Sequence, residues 1–491
     1  MLFVIFFYIT SHYPGQGEIP GLLQEIGKEK SFLTLLSSFP YIRGLKGSFI
    51  PDKKSLFLKG DIMEKEKMEG TGISRRNFLK TSAAIGAATT ITGFPAILRG
   101  ASPKEIIIGS IQPVTGPIPD IGISMQRTNK MAVDDINARG GIKSMGGAKI
   151  KLLLGDHEAK EEVARGTAER LIKEGAVCLV GPFLSGPAMA IATLSEQRNV
   201  PFVIDVAAMD AITAKGYKNV FRCFPKTELF MQSIGRFLDQ IIKEKKVNIK
   251  RIVVSNVGDA FGRSQGAAFI KFVKDKKLPF EIVDHVEYPL GVKDLSAEVA
   301  KIKAAKPDVL FPVTRTGDAK LMLRELYKQR VELMGIISPG SPGWYEPDNI
   351  RDLDKLAYYV LDNVPWVNPK SPKFKDVNGR YEKMYPGQYL DTNSGWGYVG
   401  VQVIADALER AKSTDPNALR DALRKTNFKD HPMVGGPVIF DDKGDNINAT
   451  TALIQILPDP KMDDRVKVVL PKEFAQAPYV FPWKQLWERG A

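Results

Sequence analysis

Short apolar runs alternate with helix-like stretches from Lys104 onward, and the alternation is made twice over. Glu105-Ile-Ile-Ile-Gly-Ser-Ile111 has the length and continuous apolarity of a strand buried on both faces. A helical stretch follows with Met125, Ala132, Val133 and Ile136 on one face, and Gly140-Gly141 stops it. In Ala148–Leu154 the lysines at 149 and 151 fall out of phase with Ile150 and Leu152, as a strand requires. Val163, Thr167 and Leu171 recur at helical spacing and predict the inner face of the next helix, with Gly175 as its cap. Strands over 177–181, 201–206 and 219–224 and a helix over 186–198 complete the first series. A second series opens after Lys226 with a helix carrying Phe230, Ile234, Leu238 and Ile241. Its strands fall at 251–255, 281–288, 308–311 and 334–338, separated by helices over 264–275, 294–305 and 318–329. Two βα series predict an α/β protein of two doubly wound parallel-sheet lobes with right-handed crossovers. Beyond them, a strand at 358–364, helices over 374–385 and 397–411, and a hairpin-like pair, Gly436–Phe440 with Thr451–Ile456, are expected to complete the two sheets.

The segment ahead of this pattern reads as an address. Ser74-Arg75-Arg76-Asn-Phe78-Leu79-Lys80 resembles the twin-arginine export signal of bacteria, Arg75 and Arg76 being the recognised pair. The uncharged run after it, Thr81–Leu98, is rich in Ala, Gly and Thr, whereas a membrane-spanning helix wants about 20 strongly apolar residues. Residues 68–101 therefore read as an export signal that is removed. Residues 1–67 show no sustained period and are expected to be an extension, with translation starting near Met63 or Met68. No cysteine follows the apolar run, so no lipid anchor is expected at the mature N-terminus, and the expected location is the periplasm.

Of the net charge of +13, residues 1–101 hold +5, and the remaining +8 is interspersed with acids. Such a spread argues against a nucleic-acid partner and suits an anionic small ligand. The only cysteines, Cys178 and Cys223, sit in apolar runs assigned to two strands with a third between them. That separates their Cα atoms by about 9–10 Å, beyond the reach of a disulfide, and buried free thiols are expected.

The order of elements, with five particular words, resembles the leucine/isoleucine/valine-binding family of exported substrate-binding proteins, the type I periplasmic binding fold. The words are Pro113-Val-Thr-Gly-Pro117, Ala132-Val-Asp-Asp-Ile-Asn-Ala-Arg-Gly-Gly-Ile142, Val180-Gly-Pro-Phe-Leu-Ser-Gly186, Asp259-Ala-Phe-Gly262 and Gly436-Pro-Val-Ile-Phe-Asp441. The resemblance implies two lobes joined by three crossings, near residues 226, 363 and 448, closing on a small ligand. Lobe 1 would comprise 104–226 and 364–448, and lobe 2 would comprise 227–363 and 449–491. It also implies a non-catalytic protein with no cofactor and no metal, which reaches the periplasm through the twin-arginine translocase. There it would deliver its ligand to a membrane ABC permease.

Parallel sheets bind ligands beyond the carboxyl ends of their strands, where helix N-termini offer free N–H groups. Leu184 and Ser185 stand at such a place, with Ser185 either donating to a ligand carboxylate or serving only as a helix cap. The next strand ends in Asp205-Val-Ala207-Ala208, and the amino-acid binders of the family have a threonine where Ala208 stands. The family's acid that receives the ligand ammonium is also missing, since Ser338-Pro-Gly340-Ser341-Pro342 has Gly340 there. A buried ammonium without a partner is costly, which turns the expectation from an α-amino acid toward another carboxylate, with Asp205 as the alternative negative partner for an amino-acid-like ligand. Phe261 occupies the family's aromatic position, and Arg315 offers a planar fork for a carboxylate.

Gly395-Trp-Gly-Tyr-Val-Gly400 matches a dinucleotide-binding fingerprint but lacks the buried strand that must precede it, so close helix packing is expected instead. His157, His285 and His431 are scattered, without H-E-x-x-H, G-x-S-x-G or a Cys/His cluster to support an exported hydrolase. A ligand sensor for an amide or acid on the same fold is the remaining alternative.

Overall fold

The computed structural model describes residues 103–461 and 464–489. The expectations for the export signal, Arg75 and Arg76 included, and for the segment before it lie outside the described residues.

The first half is built on a five-stranded, wholly parallel sheet of order β2-β1-β3-β4-β5. Its strands are β1 (Glu105–Gln112), β2 (Lys149–Asp156), β3 (Cys178–Gly181), β4 (Phe202–Ile204) and β5 (Val220–Arg222). Interleaved are the helices α1 (Pro119–Ala138), α2 (Glu161–Lys173), α3 (Ser185–Arg198) and the short α4 (Ala211–Ala214). Both sheet faces are covered at the centre, which is why β1, β3 and β4 read as continuous apolar runs, whereas β2 at the edge alternates, with Lys149 and Lys151 exposed. Ile106, Ile108, Cys178, Val180 and Phe221 join one core, while Ile111, Leu179, Phe202 and Ile204 join another with Ala164, Ala168 and Leu171.

The second half holds a seven-stranded sheet of order β12-β11-β10-β9-β8-β6-β7. After α5 (Thr227–Lys245) come β6 (Arg251–Val257), α6 (Ala260–Asp275), β7 (Glu281–Tyr288) and α7 (Ser296–Ala305). Then follow β8 (Val309–Val313), α8 (Thr316–Lys328), β9 (Gly335–Ser338), α9 (Pro347–Leu353) and β10 (Leu361–Val364). The chain next contributes α10 (Pro372–Met384), α11 (Thr392–Ala411) and α12 (Pro416–Arg424), with α11 packed on α1 of the first half. It returns as β11 (Ala452–Ile456) and β12 (Val466–Leu470), both antiparallel at the sheet edge.

Four expectations are met or corrected here. Cys178 on β3 and Cys223 just past β5, with β4 between, are free and buried. The inner face of α2 is Ala164, Ala168 and Leu171, with Val163 and Thr167 only half-buried, because α2 lies close against α3 and small side chains take the contact. The expected hairpin is absent: Val438 and Phe440 make only isolated bridges, to Phe428 and Asn446, and β11 pairs with β10 and β12 instead. The glycines of Gly395–Gly400 lie inside α11. A Cβ on Gly397 would stand 3.0 Å from Thr128 Oγ1 on α1, and one on Gly400 would stand 2.9 Å from Val180 Cγ2 on β3. They permit close packing.

Candidate functional site

The loops at the carboxyl ends of the strands of both halves meet around Arg315. Its guanidinium carbon lies 4.8 Å from the ring centroid of Phe183, in the first half, and 4.5 Å from that of Phe261, in the second. Arg315 Nε donates to Asp259 Oδ2 at 2.9 Å, and Nη2 lies 2.8 Å from the same oxygen, though too poorly aligned to donate to it. Arg315 is only 3% exposed, so this arginine sits in a slot between two rings with a carboxylate behind it. Asp259 is itself fixed as the N-cap of α6, its Oδ1 accepting from Gly262 N at 2.7 Å. The cap and the ion pair together set where Phe261 stands.

Ser185 opens α3, but the residue in the capping position is Leu184, and no side chain caps this end. The Ser185 hydroxyl is buried with no hydrogen-bond partner in the protein, so the capping alternative falls away. Asp205 is fully buried, its Oδ2 accepting from Gln112 Nε2 at 2.6 Å while Oδ1 has no partner. Burial pushes its carboxyl up to about 7, against the opposing hydrogen bond from Gln112. Gln112 in turn accepts from Phe183 N at 3.1 Å, which ties the acid to the loop that carries the ring over Arg315.

The other expected contacts do structural work. Ala207 donates its N–H to Pro182 O and packs in the core under α3. Ala208 O accepts from Thr227 N at 2.9 Å, anchoring the first connection between the halves. Gly340, at φ 88°, donates to Asp362 Oδ1 at 2.7 Å, and a Cβ there would stand 2.8 Å from the Phe230 ring, which explains the glycine. The hydroxyl oxygen of Ser341 accepts from Thr314 N at 2.9 Å and so joins two loops of the second half.

Sequence reasoning missed Phe183, Asp259 and Gln112. Phe183 and Asp259 lie inside the quoted words beside the chosen residues, and an aromatic or acid adjoining a cleft arginine was the available signal. Gln112 had none, because its partners lie 71 and 93 positions away. Among the described residues no group of three or more His, Cys, Asp or Glu is arranged to hold a metal ion.

Residues 105–459 match the family described as periplasmic binding protein, and residues 72–92 match the signal sequence of the twin-arginine translocation pathway. Leu/Ile/Val-binding protein homolog 7 of Brucella suis is 30% identical over 366 residues, covering 72% of this chain and 90% of the relative. A substrate-binding protein of an ABC transporter from Desulfitobacterium hafniense, solved in complex with Leu, is 25% identical with a TM-score of 0.58, over 74% of this chain and 99% of that one. The leucine binding protein of Thermotoga maritima shares the fold at 22% identity and a TM-score of 0.62, over 72% of this chain and 95% of that one. With a family match spanning both sheets and a twin-arginine signal ahead of it, the chain belongs to the periplasmic binding protein family and is an exported, periplasmic solute-binding protein.

Proposed function

We propose that the protein closes its two halves on a small carboxylate or amino-acid-like compound and delivers it to a membrane ABC permease, with Ser185 and Arg315 gripping one ligand from opposite lobes. The observation that carries the reading is that a buried hydroxyl without a hydrogen-bond partner, Ser185 Oγ, and a buried guanidinium, Arg315, whose Nη2 makes no well-aligned hydrogen bond beside its ion pair with Asp259, stand one in each half past the ends of two parallel strands. Phe183 and Phe261 shield the guanidinium from water, which strengthens its attraction for an anion. The names of the Brucella relative and the leucine complex from Desulfitobacterium favour a ligand of amino-acid size. The lobes in this reading are 104–226 with 364–448, and 227–363 with 449–491.

Calorimetric titration of small acids, amino acids and amides tests it. With the best binder, Ser185→Ala should cost about 1.5–3 kcal/mol, the scale of a hydrogen bond to a charged group. Arg315→Ala should cost about 2–5 kcal/mol, with thermal unfolding run alongside because Asp259 then loses its partner. An Arg315→Ala affinity within twofold of the parent makes the arginine a strut between rings and removes it from the site.

A further inference from the structure

The second half gathers cations at the end of its sheet remote from Arg315. Strands β6, β7, β8 and β9 are parallel, with the site loops at their carboxyl ends. The helices that lead into them, α5, α6, α7 and α8, therefore all finish at the opposite pole. Each passes into the left-handed region as it ends, at Lys246 (φ 51°), Lys277 (φ 49°), Lys306 (φ 47°) and Arg330 (φ 50°). Glycine suits that conformation, and a Cβ is disfavoured in it. The helix dipole favours a cation at a C-terminus, but it acts equally in the first half. There α1, α2 and α3 take Gly140, Gly175 and Asn199 at the same turn. Among the other described helices only α11 ends at a left-handed cation, Lys412. The dipole alone does not account for four cations at one pole.

All four side chains are exposed, and among the described residues none of them makes an ion pair or a hydrogen bond. Lys250, Lys274 and Lys276 stand beside them, also exposed and unpaired. Most acids of this pole are engaged: Glu244 with Lys472, Asp275 with Lys271, and Asp308 with the amides of Lys250 and Arg251. Glu281 and Glu332 are the exposed acids left over, so the pole is strongly positive. Along the chain these bases alternate with acids, and it is the fold that collects them.

We propose that this pole rests on an anionic lipid surface, holding the exported protein at a membrane while the loops around Arg315, at the other end of the sheet, stay open to ligand. Packed helices stand about 8–10 Å apart, so four helix ends spread their charge over a face and do not converge on one small anion. All of the unpaired cations but Arg330 are lysines. Lysine is a hydrated point charge on a flexible stem, whereas arginine is the residue for a partner of fixed, planar geometry. Mobile headgroups match the first description better than the fixed carboxylates of a protein partner do. No described helix is long and apolar enough to cross a membrane, so the contact is electrostatic and peripheral.

Vesicle sedimentation of the mature protein tests this, with phosphatidylglycerol mixed into phosphatidylcholine against phosphatidylcholine alone. The parent should bind only the anionic vesicles and leave them as salt rises from about 0.05 M to about 0.5 M, where screening shortens the reach of charge. Lys246→Gly, Lys277→Gly, Lys306→Gly and Arg330→Gly, combined, remove cations where glycine is the favoured residue, so this variant should unfold no earlier than the parent. It should bind anionic vesicles at least about tenfold more weakly, since each cation near such a surface accounts for about fivefold. A control combining Lys375→Gln, Lys383→Gln, Lys412→Gly and Lys425→Gln lowers the net charge equally and should bind within about twofold of the parent. An equal loss in the control assigns the binding to net charge and overturns the proposal. So does a parent that ignores anionic vesicles, or a glycine variant that binds them as the parent does. Sedimentation of the parent with insoluble peptidoglycan and not with vesicles also overturns it, and gives the pole a wall polymer as its partner.

Discussion

Asp205 shows how a buried carboxyl makes the site sensitive to its surroundings. Removal from water is the main cause that pushes it up to about 7, and the amide of Gln112 opposes the shift without cancelling it. A carboxyl whose folded-state pKa exceeds its unfolded value of about 3.8 holds its proton more tightly in the native protein. Its contribution to stability is therefore complete below pH about 4 and is lost as the pH rises toward 7, at up to about 1.4 kcal/mol per pH unit. Asp362 and Glu346, each also pushed up to about 7 by burial, act in the same direction. His157, which burial pushes down to about 4, acts the other way, since an unfolded histidine takes up a proton below pH 6.5. The difference between two proteins isolates the single group. Asp205→Asn should show a flatter fall of Tm between pH 4 and 7 than the parent, read by circular dichroism melts across that range. Parallel pH profiles for the two proteins would mean that Asp205 titrates as an ordinary exposed acid.

The elements that were legible from sequence are those whose pattern is enforced by burial on both faces. β1 and β9 fall where the apolar runs put them, because parallel strands buried on both faces leave little freedom in which residues are apolar, whereas α5 and the edge strand β7 were legible from the period of a single buried face. The hairpin over 436–456 failed for a corresponding reason. Gly436–Phe440 has a strand's composition, but the turn at 441–446 is held to β5 by an isolated backbone bridge at Arg222 and by side chains, and no strand ladder forms. An ion pair reinforces the bridge. Arg222, fully buried at the end of β5, donates to Asp445 Oδ1 through Nε at 2.9 Å and Nη2 at 2.7 Å, and to Met209 O through Nη1 at 2.8 Å. It thus ties the turn to the loop that follows Asp205. Nothing in the local sequence announces a pair separated by 223 positions. Removing one partner strands the other in the interior, so Arg222→Met should destabilise by about 3–5 kcal/mol in urea unfolding. Replacing both, as Arg222→Met with Asp445→Leu, should recover most of the loss, since a paired charge and a packed apolar pair differ little in net stability. A double variant as unstable as the single one would assign the loss to the Arg222 contacts with backbone carbonyls. Of the candidate site, the loops follow from position in the βα order, whereas the pairing of Phe183 with Arg315 depends on how the two halves meet and that of Asp259 with Arg315 on two loops 56 positions apart.

At the scale of the molecule, export and closure are separable. Residues 72–92 match the twin-arginine signal, and Arg75 and Arg76 lie within that match. Replacing Arg75 and Arg76 together by Lys should leave precursor in the cytoplasm on fractionation, and full recovery from the periplasm would discount that signal. Closure is read in the contact between Phe183 and Arg315, which joins one half to the other across the site. A cation held over an aromatic face contributes about 0.5–1 kcal/mol where exposed and about 2 kcal/mol or more where shielded from water. Arg315 is buried, so the upper part of that range applies. In the closure proposed above, the contact exists only when the halves are together, and the ligand is met while they are apart. Its loss should therefore appear in the rate of release. Phe183→Ala should raise the dissociation constant by roughly 5- to 30-fold, carried by a faster off-rate with an on-rate changed by less than about threefold. Phe261→Ala removes the ring on Arg315's own half and also disturbs the start of α6, so it should slow association as well as hasten release. Stopped-flow fluorescence, with the buried tryptophans as reporters, separates the two rates. An equal slowing of association in Phe183→Ala would place that ring on the path of the entering ligand and remove it from the closed interface.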